Sequence, residues 1–308
     1  MFNHSATRHV LFALGLALSQ PVLCAVSPEL AAQLDLQLTP MGAERAGNAD
    51  GSIPSWDGGF KTSSMDRTLA DPYSTEQMLQ RIDSSNMAPF AKWLSPGTQA
   101  MLHQYPQSFY LQLYPTHRSA AYPESILQQS RQNATQISLN ASGSGLEGGY
   151  ASGVPFPIPQ RAEEVIWNHV TRYRGGAVMR ETHRMPVQTD GSYQASLIRQ
   201  TQVFATHVKD NTPDSNILFY FIGQTLAPAR LAGNIALIHE PLDQLRTPRQ
   251  AWSYNAGQRR VRRAPTLAYD SPQNSAEGLA TSDNMDMYNG AFDRYNWTLK
   301  GKRELLIP

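Results

Sequence analysis

The sequence predicts an α+β protein whose centre is an antiparallel β-sheet. Five β-rich runs follow one another between residues 176 and 265 and are divided by Gly, Pro, Asn or Asp: "AVMRETHRMPVQ", "GSYQASLIRQTQVFATHV", "NILFYFIGQTLAP", "GNIALIHEP" and "QAWSYNAGQRRVRRAP". No helix of useful length separates these runs, so consecutive strands are expected to pair antiparallel. The helical candidates lie before residue 176.

The N-terminus has the build of a secretory signal peptide. In "MFNHSATRHVLFALGLALSQPVLCAVSPE" basic residues precede an apolar run, and a proline and small residues follow it. We therefore expect residues 1–25 to be a signal peptide and residues 26–308 to be one periplasmic domain. Lipidation of Cys24 is not expected, because Leu23 stands where that reaction needs a small residue.

Composition excludes several classes of function. Cys24 is the only cysteine, so the mature chain offers no thiol nucleophile and no thiolate zinc site. Removing residues 1–25 takes away one arginine and no acid, which leaves 25 basic and 25 acidic residues. A neutral secreted chain is not expected to bind nucleic acid.

Local signals place the elements of the N-terminal half. Residues 26–37 begin with Ser27 and Pro28, a typical helix start, and residues 74–104 hold two more helical candidates, opening at Ser74 and at Ser95. The segment "YPQSFYLQLY" alternates as a strand does, and residues 123–139 are Gln-rich and predict a solvated helix.

Two glycine-rich segments resemble ligand loops but fail the chemical tests. "RAGNADGSIPSWDGGF", residues 45–60, has Ile and Gly where a calcium loop needs Gly and Glu, and no lysine where a phosphate loop needs one. "GSGLEGGYASGVPFPIPQ", residues 143–160, contains G-x-G-x-x-G, but its prolines prevent the helix that a dinucleotide site requires. We expect no metal and no cofactor.

The C-terminal half begins with the most regular helix pattern of the chain. In "QRAEEVIWNHVTRYRGG" the apolar residues recur at helical spacing, and Gly175 closes the element. The strand runs follow, then residues 265–296 have loop composition. The last segment, "YNWTLKGKRELLIP", predicts a further strand or two.

Candidate chemical groups are few. The sequence has no G-x-S-x-G, and His239 with Glu240 does not extend to a zinc motif because Pro241 breaks the helix and Asp243 replaces the second histidine. Three aspartates cluster near the C-terminus and could do acid/base work, although turn and cap roles are commoner: Asp283, Asp286 and Asp293. Four arginines in five residues could bind nucleic acid or phosphate headgroups, but on a strand they divide between two faces and are typical of a charged hairpin: Arg259, Arg260, Arg262 and Arg263.

Four segments together resemble one known family: "LTPMGAERAGNADGSIPSWDGG", "GVPFPIPQRAEEVIWNHVTRYRG", "QAWSYNAGQRRVRRAPTLAYD" and "DMYNGAFDRYNWTLKGKRELLIP". They look like the Gram-negative family called domain of unknown function 1329, often labelled outer-membrane lipoprotein-sorting-like, from about residue 38 to the end. The resemblance implies a LolA/LolB-like fold, a strongly bent antiparallel half-barrel wrapped around helices with an apolar cavity. Family members are commonly longer, so this chain is expected to be a version shortened at its C-terminus.

Two functional hypotheses remain open at this point. The first is a non-enzymatic periplasmic carrier, with access to the outer membrane, that binds a lipid, an acyl chain or another apolar molecule and works with an inner- or outer-membrane transport protein. The segment "NILFYFIG" supports it because both of its faces are apolar, although both faces could equally be core. We expect the cavity to be lined by Phe219, Phe221, Trp252 and Tyr254. The alternative is a periplasmic hydrolase of an apolar ester or envelope polymer, using Asp283 or Asp286 with His239.

The signal peptide gives a direct prediction. Secreted protein is expected to begin at Val26, because the cleavage site follows Ala25 and Leu23 spoils the lipidation signal. N-terminal sequencing of material from the periplasm measures this. Recovery of a diacylated Cys24 would contradict it.

Overall fold

The computed structural model describes residues 25–60, 71–212 and 215–307, so the predicted signal peptide lies almost wholly outside the described residues. Within them the α-helices are α1 (Pro28–Ala31), α2 (Pro96–Gln104), α3 (Glu124–Gln136) and α4 (Ala162–Val170). The strands are β1 (Gln80–Ile82), β2 (Leu111–Leu113), β3 (Ser138–Leu139), β4 (Leu146–Glu147), β5 (Ala177–Arg184), β6 (Ser196–Phe204), β7 (Ile217–Ala227), β8 (Ile235–Pro241), β9 (Gln250–Asn255) and β10 (Arg260–Arg263).

Two of the predicted helix starts are confirmed, and both use the same device. The Ser27 hydroxyl accepts a hydrogen bond from the Leu30 amide at 3.3 Å, and the Ser95 hydroxyl accepts one from the Thr98 amide at 3.0 Å. In each helix a proline follows the capping serine, where its missing N–H costs nothing. These signals are local, so the sequence alone suffices to find them.

Two other expectations for local structure are wrong. No helix opens at Ser74; instead Gln80–Ile82 forms β1 and pairs with Leu111–Leu113. The last segment forms no strand within its described residues, although the Leu306 amide donates to the Trp93 carbonyl at 2.8 Å. Both segments contribute to one small core, in which Leu306 packs against buried apolar side chains: Ile82, Met87, Leu94, Leu102 and Leu111.

Helix α3 was expected to be solvated, but one of its faces is buried in the structure.

The main sheet is a six-stranded antiparallel meander in the order β10-β9-β8-β7-β6-β5, as the strand runs predict. Its register aligns Phe221 with Gln202 on β6 and with Ile238 on β8. Side chains alternate between the faces of a strand, so these three residues share one face, here called the inner face. Tyr220 and Ile222 belong to the opposite, outer face. The fold is therefore mixed α and β around an open sheet that ends at β5 and β10.

Helix α4 covers one end of the inner face. Its Trp167 is 2% exposed, stacks on Phe292 with ring centroids 5.0 Å apart, and donates its indole N–H to the Gly143 carbonyl at 3.1 Å. Leu218 and Phe219 of β7 belong to the same hydrophobic cluster. This packing fills one end of the inner face and leaves the other end to the chain that follows β10.

The Gly/Asn-rich loop near the N-terminus is organised by a distant arginine. The Arg118 guanidinium donates to the carbonyl of Glu44 at 2.6 Å and to that of Arg45 at 3.1 Å, with longer bonds at 3.4 Å to the carbonyls of Ala46 and Pro54. A planar guanidinium has five donors, which suits it to a ring of carbonyls. The loop is thus held closed by a side chain about seventy residues away in the sequence.

The Trp167 core gives a stability prediction. Trp167→Ala is expected to lower the free energy of unfolding by about 3–5 kcal/mol, because it removes a buried ring and leaves a cavity. Met179→Ala on β5, where the methionine is 70% exposed, is the matched control and should stay within about 0.5 kcal/mol of wild type. Urea unfolding followed by circular dichroism measures both. Equal effects of the two substitutions would contradict the assignment of Trp167 to the core.

Candidate functional site

A cavity of about 480 Å³ lies on the inner face and is here called the main cavity. The sheet from β6 to β9 forms its floor, and residues 264–289 form its roof. Apolar side chains line much of it: Ile198, Phe221, Ile238, Leu267 and Met285. Polar side chains share the lining: Arg184, Gln200, Arg249, Ser253 and Asn289. The lining is therefore amphipathic, whereas the sequence had suggested a uniformly apolar cavity.

A buried ion pair ties the roof to the floor. The side chains of Arg249 and Glu240 are each 3% exposed, and the Arg249 Nε donates to the Glu240 carboxylate. The other Glu240 oxygen accepts from Gln244 at 2.6 Å. The rest of the guanidinium reaches the roof, donating to the Leu267 carbonyl at 2.8 Å and to the Asn289 side-chain oxygen at 3.1 Å. Every charge in this group has a partner, as a buried ion pair requires.

Two smaller cavities, of about 60 and 30 Å³, adjoin the main cavity and are here together called the arginine pocket. Both are lined by Arg174, Arg180, Gln202 and Phe221. The larger also shares lining residues with the main cavity: Phe221, Ile238, Arg249, Met285 and Asn289. The spaces are therefore neighbours on one continuous inner face.

The electrostatics of the arginine pocket depend on one shared carboxylate. Asp286 accepts from Arg172 and, at 3.0 Å, from Arg174. Burial lowers the pKa of Arg174, and the neighbouring charge of Arg172 lowers it further, against the opposing effect of Asp286. The Arg180 Nε donates at 2.7 Å to the neutral side chain of Gln200. The pocket thus concentrates positive charge.

The structure separates the four residues that the sequence proposed for the cavity. Phe219 and Phe221 both line the arginine pocket, and Phe221 lines the main cavity as well. Phe219 is buried and packs edge-on against Phe204, with centroids 6.0 Å apart. Strand alternation places Trp252 and Tyr254 with the outer face. Tyr254 borders the main cavity beside Asn255, whereas Trp252 lines none of the three spaces.

The structure does not bring together the histidine and the aspartates of the hydrolase hypothesis. His239 lies on the outer face between Tyr220 and Trp252, with ring centroids 4.9 and 5.0 Å away, and burial lowers its pKa. Asp286 lines the arginine pocket on the inner face. The sheet therefore stands between His239 and Asp286.

The other two aspartates have structural partners. Asp283 is buried and accepts hydrogen bonds of 2.6 Å from Thr281 and from Tyr295, which hold the pKa of its carboxyl below its ordinary value. Asp293 accepts from the Tyr269 hydroxyl at 3.2 Å. Both carboxylates thus fasten the chain that follows β10.

The arginines of the inner face were missed by sequence reasoning, which singled out the basic hairpin instead. In the structure that hairpin is exposed throughout β10, and Arg263 lies over the Trp252 ring on the outer face. Strand parity offers the missing signal, because Arg180 and Arg184 lie four residues apart on β5 and so point to one face. Both line the cavities described above.

The described residues contain no group of three or more His, Cys, Asp or Glu side chains placed to hold a metal ion. Among the helices within the described ranges, none is both long and apolar enough to cross a membrane.

Comparison with known proteins identifies relatives of the chain. The family described as "Protein of unknown function (DUF1329)" matches residues 81–308, which leaves the Leu38–Gly59 segment outside the matched range. The uncharacterized protein PA3922 of Pseudomonas aeruginosa is 51% identical over 297 residues, covering 94% of this chain. The chain spans 65% of the length of that relative.

A solved structure, provisionally described as an outer membrane lipoprotein-sorting protein domain from Vibrio parahaemolyticus, is also similar in part. It shares 15% identity and a TM-score of 0.29, over 38% of this chain and 47% of that one.

The buried ion pair gives a second stability prediction. Glu240→Ala is expected to cost about 3–5 kcal/mol of unfolding free energy, because it leaves the Arg249 charge buried without its carboxylate. Asp270→Ala is the control: Asp270 pairs with Arg294, but their side chains are 76% and 53% exposed, so the cost should stay below about 1 kcal/mol. Chemical denaturation of both variants measures the difference. A small effect of Glu240→Ala would mean that the pair does not hold the roof.

Proposed function

Because this chain belongs to the DUF1329 family, whose description assigns no activity, we propose its function from the site: a non-enzymatic carrier that holds an acyl chain or a similar apolar molecule in the main cavity. The observation that supports this is a space of about 480 Å³ bordered by Ile198, Phe221 and Ile238. Small-molecule sites commonly measure about 300–1,000 Å³ and are lined by apolar side chains with a few polar ones.

The sheet is proposed to curve around the ligand as a half-barrel. Two irregularities in strand pairing support such a bend, one between Leu197 and Ile198 on β6 and one between Ile217 and Phe219 on β7. A bulge bends its strand and increases the local twist. Both occur on the strands that form the cavity floor.

The proposed setting of this carrier is the periplasm, which it would reach through the cleaved signal peptide of residues 1–25. There it would receive its ligand from, or deliver it to, a transport protein of the inner or outer membrane. The separation of His239 from Asp286 by the sheet favours a carrier over an ester hydrolase.

Binding of a fluorescent fatty acid by purified protein tests the carrier. Affinity is expected to rise about fourfold for each added CH₂, because burying one contributes about 0.8 kcal/mol. Phe221→Asp should abolish binding, since it places a charge in the cavity lining. Ile222→Asp is the matched control, because Ile222 neighbours Phe221 on the same strand, is 42% exposed and faces outward.

Circular dichroism spectra of both variants check that the sheet is intact. Absence of binding to wild-type protein, or hydrolysis of a fluorogenic acyl ester that Phe221→Asp abolishes, would overturn the carrier.

A further inference from the structure

The arginine pocket contains more positive than negative charge. Four arginines and two carboxylates line its larger cavity: Arg172, Arg174, Arg180, Arg249, Glu240 and Asp286. Glu240 is committed to Arg249, and Asp286 serves both Arg172 and Arg174. Among the described residues no carboxylate lies within ion-pair distance of Arg180, which bonds to the neutral Gln200. The pocket therefore has cationic capacity that its own acids do not use.

Two buried donors in the same pocket have no acceptor. Among the residues the structure describes, the buried side-chain atoms without a hydrogen-bond partner are the Nε atoms of Arg45 and Arg174 and the Nε2 atom of Gln202. Arg45 belongs to the distant N-terminal loop, but Arg174 and Gln202 line both cavities of the arginine pocket. Buried polar groups in proteins are nearly always hydrogen-bonded, so two buried donors without a partner among the lining residues of one pocket indicate a place for an acceptor.

The size of the pocket suits a small oxyanion. One water needs about 10–15 Å³ of cavity volume, so the larger cavity of the arginine pocket, about 60 Å³, admits roughly four water-sized groups. A carboxylate or a phosphate has that bulk, and both offer the acceptor oxygens that guanidinium groups bind best. The burial and neighbouring cations that lower the pKa of Arg174 describe a positive charge that an anion would stabilise.

We infer that the ligand is an anionic amphiphile, whose acyl chain lies in the main cavity and whose carboxylate or phosphate headgroup is bound by Arg174, Arg180 and Gln202. This rests on the proposed carrier function and specifies its ligand. Phe221, which lines both spaces, marks the point where the chain leaves the headgroup. Arg180, an exposed residue of the edge strand β5, lies where the headgroup meets solvent.

Three ligands with the same sixteen-carbon chain test the headgroup: hexadecanoate, hexadecyl phosphate and hexadecanol, each displacing a fluorescent acyl probe. Wild-type protein should bind at least one of the two anions about tenfold or more tightly than the alcohol, because charge-assisted hydrogen bonds are stronger than neutral ones. The stronger anion tells whether the natural source is a fatty acid or a phosphate-bearing lipid.

The variant Arg180→Gln should weaken binding of the preferred anion about tenfold and leave hexadecanol unchanged. Arg199→Gln is the matched control: Arg199 lies on β6, bonds across the sheet to Glu181 as Arg180 bonds to Gln200, and faces the outer side. It should bind all three ligands as wild type does.

Three results would count against the inference. If hexadecanol binds as tightly as both anions, or if Arg180→Gln weakens all three ligands equally, the headgroup assignment is wrong while the carrier stands. If none of the three binds to wild-type protein, the carrier is wrong and this inference falls with it.

Discussion

The buried ion pair between Arg249 and Glu240 is the interaction on which the architecture of the site depends. Glu240 is buried near the end of β8, and the Arg249 guanidinium that pairs with it also donates to the Leu267 carbonyl and to Asn289 in the roof. Desolvating two charges is expensive, and only complete hydrogen bonding makes such a pair tolerable. Here the same hydrogen bonds also hold the roof over the sheet, and the main cavity lies between the roof and the sheet.

The two faces of the sheet differ in chemistry as well as in coverage. The outer face exposes Ile222 and holds a half-buried row of aromatic side chains, Tyr220, His239 and Trp252. The inner face alternates apolar side chains with arginine and glutamine. A wholly apolar inner face would be compatible with simple core packing. Arginines on a covered face are costly to keep unless something pairs with them, which is why the inner face is the more informative of the two.

Sequence reasoning succeeded where structure is decided locally and failed where distant segments meet. Capping serines followed by proline marked α1 and α2, and the punctuated strand runs gave the antiparallel meander. The helix expected at Ser74 is absent because β1 follows it and pairs with β2, about thirty residues away in the chain. The same holds for the site. Strand parity in the sequence places Phe219 and Phe221 on one face, but only the fold brings Arg174, Arg249 and Asp286 to that face.

The roof differs from the floor in how it is fastened. Antiparallel strands share their hydrogen bonds along a continuous ladder, whereas residues 264–289 are attached largely through side-chain bonds from outside the roof, those of Arg172, Arg174, Arg184 and Arg249. Lifting the roof would break side-chain bonds and leave the ladder intact. Opening of the main cavity and unfolding of the sheet are thereby expected to have separate barriers. Substitutions of exposed roof residues can accordingly change how often the main cavity opens while leaving the strand ladder intact.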